Sequence, residues 1–460
     1  MSYAFNFSFK VLVLIYIMHL PYSIIKDSFL STKPDDKWSF KEAKRSETNY
    51  ISHGYHRYPA KFIPQIVHKL ILEYTKENDF VLDPFGGCGT TLVEAKVLGR
   101  KSLGFDINPV AKLITETKIT PLKPERLEKS LQIFEKKYIK INKENVTSEH
   151  SERINYWFEP KIQVELDKLL NSINTISDLN IKRFYLCAFS QILKNCSKWL
   201  MKSTKPQIDP NKISPDVYTT FISHLKRMMV KNKEFYSMLE NSNNLKTSSK
   251  MKLKDSTKKF SLEANSIDLI ITSPPYVTSY EYADLHQLIL LWLGENPKRY
   301  YRWSRYAKEY QAFREKFVGT KLAINKRNEK FLGFFAHQII NQLPDTKEYA
   351  KSVAKYFSDM QKAISEMYRV LKPEKRACLI IGNTTLAGVE VKNAEVAVEQ
   401  MQDAGFIIEK IIKRELSNKM ITPWRDKQNG RFTNASNTEK KRVYEYEFIL
   451  IARKPLKLPN

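Results

Sequence analysis

The chain is 460 residues long, which leaves room for one large α/β core and an additional region, since a domain commonly uses ~100–200 residues. Lys and Arg outnumber Asp and Glu 76 to 50, and the net charge of +26 is spread along the chain; such a surface attracts polyanions by counterion release, but basic composition also serves solubility, so a motif must decide. Cys88, Cys187, Cys196 and Cys378 include no C-x-x-C pair and no His/Cys cluster of metal-ligand spacing, which argues against structural zinc or any metal site and for a reducing, cytoplasmic setting.

The first feature in chain order is the apolar run Val11 to Met18, preceded by Lys10. It is too short to cross a bilayer and lacks a small-residue cleavage site. Residues 1–45 are therefore read as an N-terminal extension, either a packed helix or the product of a misassigned start, with no membrane role.

From residue 79, D-F-V-L-D is a short apolar run ending in Asp83, followed by a glycine-rich turn and the helix-like stretch Thr91 to Leu98. A second run, Ser102 to Phe105, ends at Asp106. Strand, loop, helix and strand in this order predict a βαβ unit with its ligand edge at the strand C-termini. Residues 46–111 thus form the first part of an α/β domain.

Residues 112–250 break that rhythm. Lys/Glu-rich stretches and apolar residues at helical spacing from Trp157 to Trp199 predict a mainly helical insertion, and the Lys, Ser and Asn-rich tract near 241–258 reads as a mobile linker closing it. Trp157 and Trp199 are assigned to the core. The α/β alternation resumes over 251–455, with a strand at Ile267 to Thr272, a helix at Tyr349 to Leu371 and a strand at Ala377 to Gly382. The runs Phe406 to Ile412 and Tyr444 to Ala452 suit an antiparallel pair joined by a long polar loop.

The nonamer D-P-F-G-G-C-G-T-T occupies 83–91. Glycines there let backbone approach a ligand, the following helix N-terminus presents free N–H groups, and the missing G-K-[S/T] excludes a P-loop. Asp106, 23 residues after Asp83, is placed to accept both hydroxyls of a ribose. NAD and S-adenosylmethionine both fit at this point.

Ser273-Pro274-Pro275-Tyr276 follows the strand I-D-L-I-I-T. Two successive prolines hold a stiff turn whose carbonyls are left to accept hydrogen bonds. The exocyclic amine of cytosine or adenine is a poor nucleophile because its lone pair is conjugated into the ring. Acceptance of its protons by the Ser273 hydroxyl and the Pro274 carbonyl favours a more tetrahedral nitrogen, ready for direct in-line transfer of a sulfonium methyl. The base must leave the duplex to reach such a turn, and Tyr276 suits stacking on its face. Read alone, S-P-P-Y is equally a proline-stiffened turn with a packed tyrosine; the glycine loop and Asp106 weigh against that.

These segments resemble the amino-methyltransferase family that modifies cytosine-N4 and adenine-N6 in DNA. D-P-F-G-G-C-G-T-T is similar to its cofactor motif, G-F-D-I-N-P at 104–109 to its ribose-binding segment and T-S-P-P-Y at 272–276 to its catalytic motif. H-R-Y-P-A-K-F at 56–62 resembles its N-terminal cofactor element, which implies that Pro59, Ala60, Lys61 and Phe62 wrap the methionine end of S-adenosylmethionine. By the same resemblance Asp83, Pro84, Phe85, Gly86, Gly87, Gly89, Thr90, Thr91, Asp106, Ile107 and Asn108 form the cofactor site, with Asp255 and Ser256 at the adenine. The resemblance implies a Rossmann-like S-adenosylmethionine-dependent methyltransferase fold with the helical insertion, acting on double-stranded DNA, together with a cognate restriction endonuclease in a restriction-modification system. A serine before P-P-Y usually accompanies cytosine-N4 specificity in this family, so Ser273 favours cytosine over adenine-N6.

Two intervals, 112–250 and the basic-aromatic insertion at about 295–345, are candidates for target recognition. The second opens with P-K-R-Y-Y-R-W-S-R-Y, where Lys298, Arg299, Arg302, Trp303 and Arg305 suit phosphates and unstacked bases; Lys308, Arg314 and Lys316 extend it. A solvated helical face with inward aromatics explains that composition equally well. Asp284 and His286 are assigned structural roles, because direct methyl transfer needs no nucleophilic triad. An RNA or tRNA base methyltransferase and a catalytically idle nucleic-acid-binding subunit are the rival readings. A cytosine-C5 enzyme would need a Pro-Cys nucleophile, and none occurs.

Overall fold

A computed structural model describes residues 22–59, 61–141, 149–203, 205–277, 282–294, 308–320, 332–344, 348–416, 424–427, 433–442 and 445–456. The apolar N-terminal run, Ala60 and the residues Lys298, Arg299, Arg302, Trp303 and Arg305 lie outside the described residues. The chain divides into two compact units. One comprises Ala43–Asp255 and Glu281–Phe317 and contains the glycine loop; the other comprises Met1–Glu42, Ser256–Tyr280 and Val318–Asn460 and contains the proline turn.

In the glycine-loop unit, helix α1 (Pro64–Tyr74) precedes strand β1 (Phe80–Asp83), helix α2 (Thr90–Val97), strand β2 (Lys101–Asp106) and helix α3 (Pro109–Lys118). Proline at the first turn of α1 and of α3 loses no hydrogen bond there, and Asn108 caps α3 by accepting from Val110 N at 2.9 Å. Four longer helices follow: α4 (Pro124–Lys140), α5 (Pro160–Asn174), α6 (Leu179–Cys196) and α7 (Val217–Asn241), the last two capped by Asp178 and Asp216. They pack with α8 (Gln287–Gly294) around a core that includes Trp157, Tyr185, Phe189, Trp199, Phe221 and Trp292. The Trp157 and Trp199 rings stack at 5.2 Å, the core role read from their spacing.

Strand β3 (Ser249–Leu253) lies inside the tract read as a mobile linker, which is thereby corrected. It runs parallel beside β2, with Asp106 opposite Leu253. Only Met251 of its side chains is buried, since an edge strand with one face in water needs little apolar sequence. Strand order in this unit is β3-β2-β1, all parallel, so Asp83, Asp106 and Leu253 end at one edge.

The proline-turn unit holds strand β4 (Ile267–Thr272), helix α9 (Tyr349–Val370), strand β5 (Leu371–Ile381), helix α10 (Asn393–Asp403) and strands β6 (Ile407–Glu415) and β7 (Tyr446–Arg453). All six residues of β4 are buried, and its one charge, Asp268, pairs with Lys372 at 2.8 Å. The order is β4-β5-β7-β6. β4 and β5 are parallel across the α9 crossover, whereas β7 runs antiparallel to both neighbours, the pairing anticipated for the closing runs. The fold is α/β and Rossmann-like, with parallel strands joined through helices and ligand loops at strand C-termini. Among the described residues no helix is long and apolar enough to cross a membrane.

Candidate active site

The glycine loop is built from its own backbone. Asp83 closes β1, is 1% exposed, and accepts from Phe85 N at 3.1 Å and from Thr91 Oγ1 at 2.7 Å. Its carboxylate, with the buried Thr90 and Thr91, therefore holds the turn in shape. Gly86 N donates to Phe105 O and Gly89 N to Gly86 O, at 2.8 and 2.7 Å. Gly89 has φ +78, and a Cβ there would stand 2.5 Å from Thr115 Cγ2, so the crossing of α3 over the loop demands glycine. Phe85 and Gly87 stay partly exposed, while Pro84 and Gly86 are buried.

Asp106, at the end of β2, accepts from Gly87 N through Oδ2 (3.1 Å) and from Asn108 N through Oδ1 (2.8 Å). A carboxylate offers about four lone-pair sites. Two backbone bonds leave acceptor capacity on both oxygens, which is what a vicinal diol requires. Burial pushes the Asp106 carboxyl up to about 6 against the backbone N–H groups of Asn108, Gly87 and Ile107, which favour its charge. Asp255 stands just beyond β3, one residue after Lys254, whose N–H donates to Asp106 O at 2.9 Å. Ser256 is buried.

Of the N-terminal element, Pro59, Lys61 and Phe62 are half-buried. Lys61 Nζ donates to Asn49 Oδ1 (2.9 Å) and His53 O (3.1 Å), and burial lowers it to about 8. Tyr58, not singled out from the sequence, lies against Gly87: a Cβ on that glycine would be 3.5 Å from its ring. Asn108 Nδ2 donates to His286 Nδ1 at 2.8 Å, with the His286 ring 5.1 Å from that of Tyr58. Burial lowers His286 to about 4, so it is a neutral wall residue, as assigned. Asp284 pairs with Arg314 at 3.0 Å, which engages the arginine read as part of the basic patch.

A second network, invisible to spacing, is centred on the helix that follows the loop. Glu94 of α2 is fully buried and accepts from Tyr50 Oη, His53 Nε2 and His68 Nδ1. Burial pushes its carboxyl up, but the bonds from His53 and His68 outweigh that and hold it at about 2.

In the other unit the proline turn follows β4 directly. Pro274 is buried and Ser273, Pro275 and Tyr276 are half-buried. Tyr276 Oη donates to Glu447 Oε1 at 2.7 Å.

A family model described as DNA methylase matches residues 22–117 and 267–458, more than half of the chain and inclusive of both loops. The chain belongs to this DNA methylase family. The methylase is 26% identical over 391 residues to the type II methyltransferase M.MvaI of Kocuria varians, covering 79% of this chain and 83% of that one. It is 40% identical over 85 residues to the type II methyltransferase M2.LlaDCHI of Lactococcus lactis, 18% of this chain and 30% of the other. A Thermus thermophilus protein solved with S-adenosyl-L-methionine aligns at 16% identity over 44% of this chain and 52% of that one, with a TM-score of 0.20. The DNA methylase match leaves out 118–266, which contains most of the helical insertion.

Proposed function

We propose that this methylase transfers the methyl group of S-adenosylmethionine to the N4 amine of a cytosine in duplex DNA, in the cytoplasm and beside a restriction endonuclease for the same site. The observation that carries the donor is the Asp106 carboxylate, anchored by Gly87 and Asn108 with lone pairs left for a ribose. The observation that favours the acceptor is the half-buried Ser273 preceding the two prolines.

The sulfonium cofactor supplies an electrophilic methyl group. The chain's own part is positioning: Asp106 holds the ribose hydroxyls, the glycine loop lets backbone approach the ligand, and Ser273 Oγ with the Pro274 carbonyl accept the amine protons. Tyr276 stacks on the extruded base. Asp255 and Ser256 serve the adenine, Pro59 to Phe62 the methionine end, and the segment holding Lys298, Arg299, Arg302, Trp303 and Arg305 the DNA phosphates.

The test is to incubate the purified protein with the cofactor and mixed-sequence duplex DNA, digest to nucleosides and identify products by mass spectrometry. N4-methylcytosine is expected. N6-methyladenine would retain the chemistry and overturn the cytosine assignment, whereas methylation of tRNA alone, or of nothing, would overturn the DNA reading. Ser273→Ala is expected to slow single-turnover transfer by ~10- to 100-fold, one lost hydrogen bond to a reacting group, with cofactor affinity unchanged. An unchanged rate would remove Ser273 from the chemistry.

A further inference from the structure

The tyrosine of the proline turn is held from three sides within its own unit. Its carbonyl faces Gly319, where φ is +83 and a Cβ would lie 3.0 Å from the oxygen. Its ring lies against Gly382, where a Cβ would come within 3.3 Å of Cε2 and Oη. Its hydroxyl ends on the Glu447 carboxylate.

Glu447 is itself fixed. It lies on β7 directly opposite Arg414 of β6, and Arg414 Nη1 donates to Glu447 Oε2 at 2.6 Å. Two further donors of the guanidinium go to backbone: Nε to Trp38 O at 2.9 Å and Nη2 to Ser39 O at 3.2 Å. Arg414 is 4% and Glu447 7% exposed. An ion pair this deeply buried is no better for stability than an apolar pair of the same size, because desolvating two charges offsets their attraction. Its distinguishing feature is the carboxylate oxygen that the arginine leaves over, and that oxygen receives Tyr276.

We propose that Glu447 and Arg414 are positioning residues of the methylase, a clamp that fixes the Tyr276 ring as a preformed platform for the extruded base. The proposal rests on the reading of Tyr276 as the stacking residue. Glycine at 382 leaves room for the ring and glycine at 319 for the carbonyl of the same tyrosine, and the charge-assisted bond to Glu447 stops the ring from turning. The platform is thereby oriented before any base arrives, so the clamp acts on the transfer step and leaves cofactor binding alone. The carbonyls of Trp38 and Ser39 bring the segment ahead of the glycine-loop unit into the same clamp.

The experiment compares full-length wild type, Tyr276→Phe, Glu447→Gln and the double variant for single-turnover methyl transfer to duplex DNA, cofactor affinity and thermal melting. Each single variant is expected to transfer ~10-fold more slowly with unchanged cofactor affinity, and the double variant no more slowly than the slower single, since Tyr276→Phe removes the donor of the bond that Glu447→Gln weakens by taking the charge from its acceptor. Singles within about twofold of wild type would overturn the clamp, and so would a double variant whose loss is the product of the two, because Glu447 would then act other than through the tyrosine hydroxyl. If Glu447→Gln fails to fold, Tyr276→Phe decides alone, as it keeps the ring and leaves the ion pair intact. Wild type that methylates no duplex DNA would remove the underlying reading of the site, a failure visible before any variant is made.

Discussion

Replacing Asp106 with alanine is expected to weaken S-adenosylmethionine binding about 100-fold, the loss of two charge-assisted hydrogen bonds to ribose hydroxyls worth ~1.5 kcal/mol each. The geometry behind this is the pair of backbone donors, Gly87 N and Asn108 N, which orient the carboxylate before any ligand binds. The same residue makes binding pH-dependent. Burial raises its carboxyl to about 6 in the protein without ligand, and an added proton removes an acceptor the diol requires. Affinity should therefore fall as pH drops below about 6, and Asp106→Asn should abolish that dependence. Equilibrium dialysis of labelled cofactor at pH 5 to 8 reads both effects. Equal affinity in wild type and Asp106→Ala would remove the ribose assignment. The stability consequence has the opposite sense: a raised carboxyl pKa stabilises the fold at low pH, and that contribution is lost as pH rises through about 6.

The second large effect concerns stability. Glu94→Ala is expected to cost roughly 3–5 kcal/mol in urea unfolding, because it strips the shared acceptor from Tyr50, His53 and His68 inside the core. Glu94 lies on the helix that follows the glycine loop, so cofactor binding should weaken with it. The pH sense follows from the depressed carboxyl. Its contribution is present above the ordinary glutamate value of 4.5 and is lost as pH falls through about 2. His53, which burial lowers to about 4, adds a loss that begins at higher pH, its contribution being present above the ordinary histidine value of 6.5 and lost as pH falls through about 4. A variant within about 1 kcal/mol of wild type, the usual effect of a surface change, would show the network to be dispensable.

Much of the candidate site was legible because it is local. The glycine loop, the carboxylate ending β2 and the serine before two prolines each depend on residues within a few positions of one another, and strand-to-loop transitions are written in the same short windows. Strand β3 was not legible. Lys250 and Lys252 face water at a sheet edge, so it carries one buried methionine where a central strand carries an unbroken apolar run. Asp83, which the motif assigned to the cofactor, also accepts from Phe85 N and Thr91 Oγ1, a role in shaping the turn that the motif does not state.

The sequence by itself determined the α/β class, the position of both loops, the residue types they carry, and membership of a DNA methylase family. Those properties follow from backbone stereochemistry and from hydrogen-bonding groups carried on contiguous stretches. Only the tertiary structure decided what holds these groups in place: Glu94 on the helix that follows the glycine loop, Tyr58 and His286 beside that loop, and Glu447 with Arg414 behind Tyr276. Each of those contacts joins residues tens to hundreds of positions apart, as Arg414 reaches Trp38 and Tyr276 reaches Glu447. A buried charge finds its partner only when strands and helices pack, and no spacing along the chain encodes that meeting.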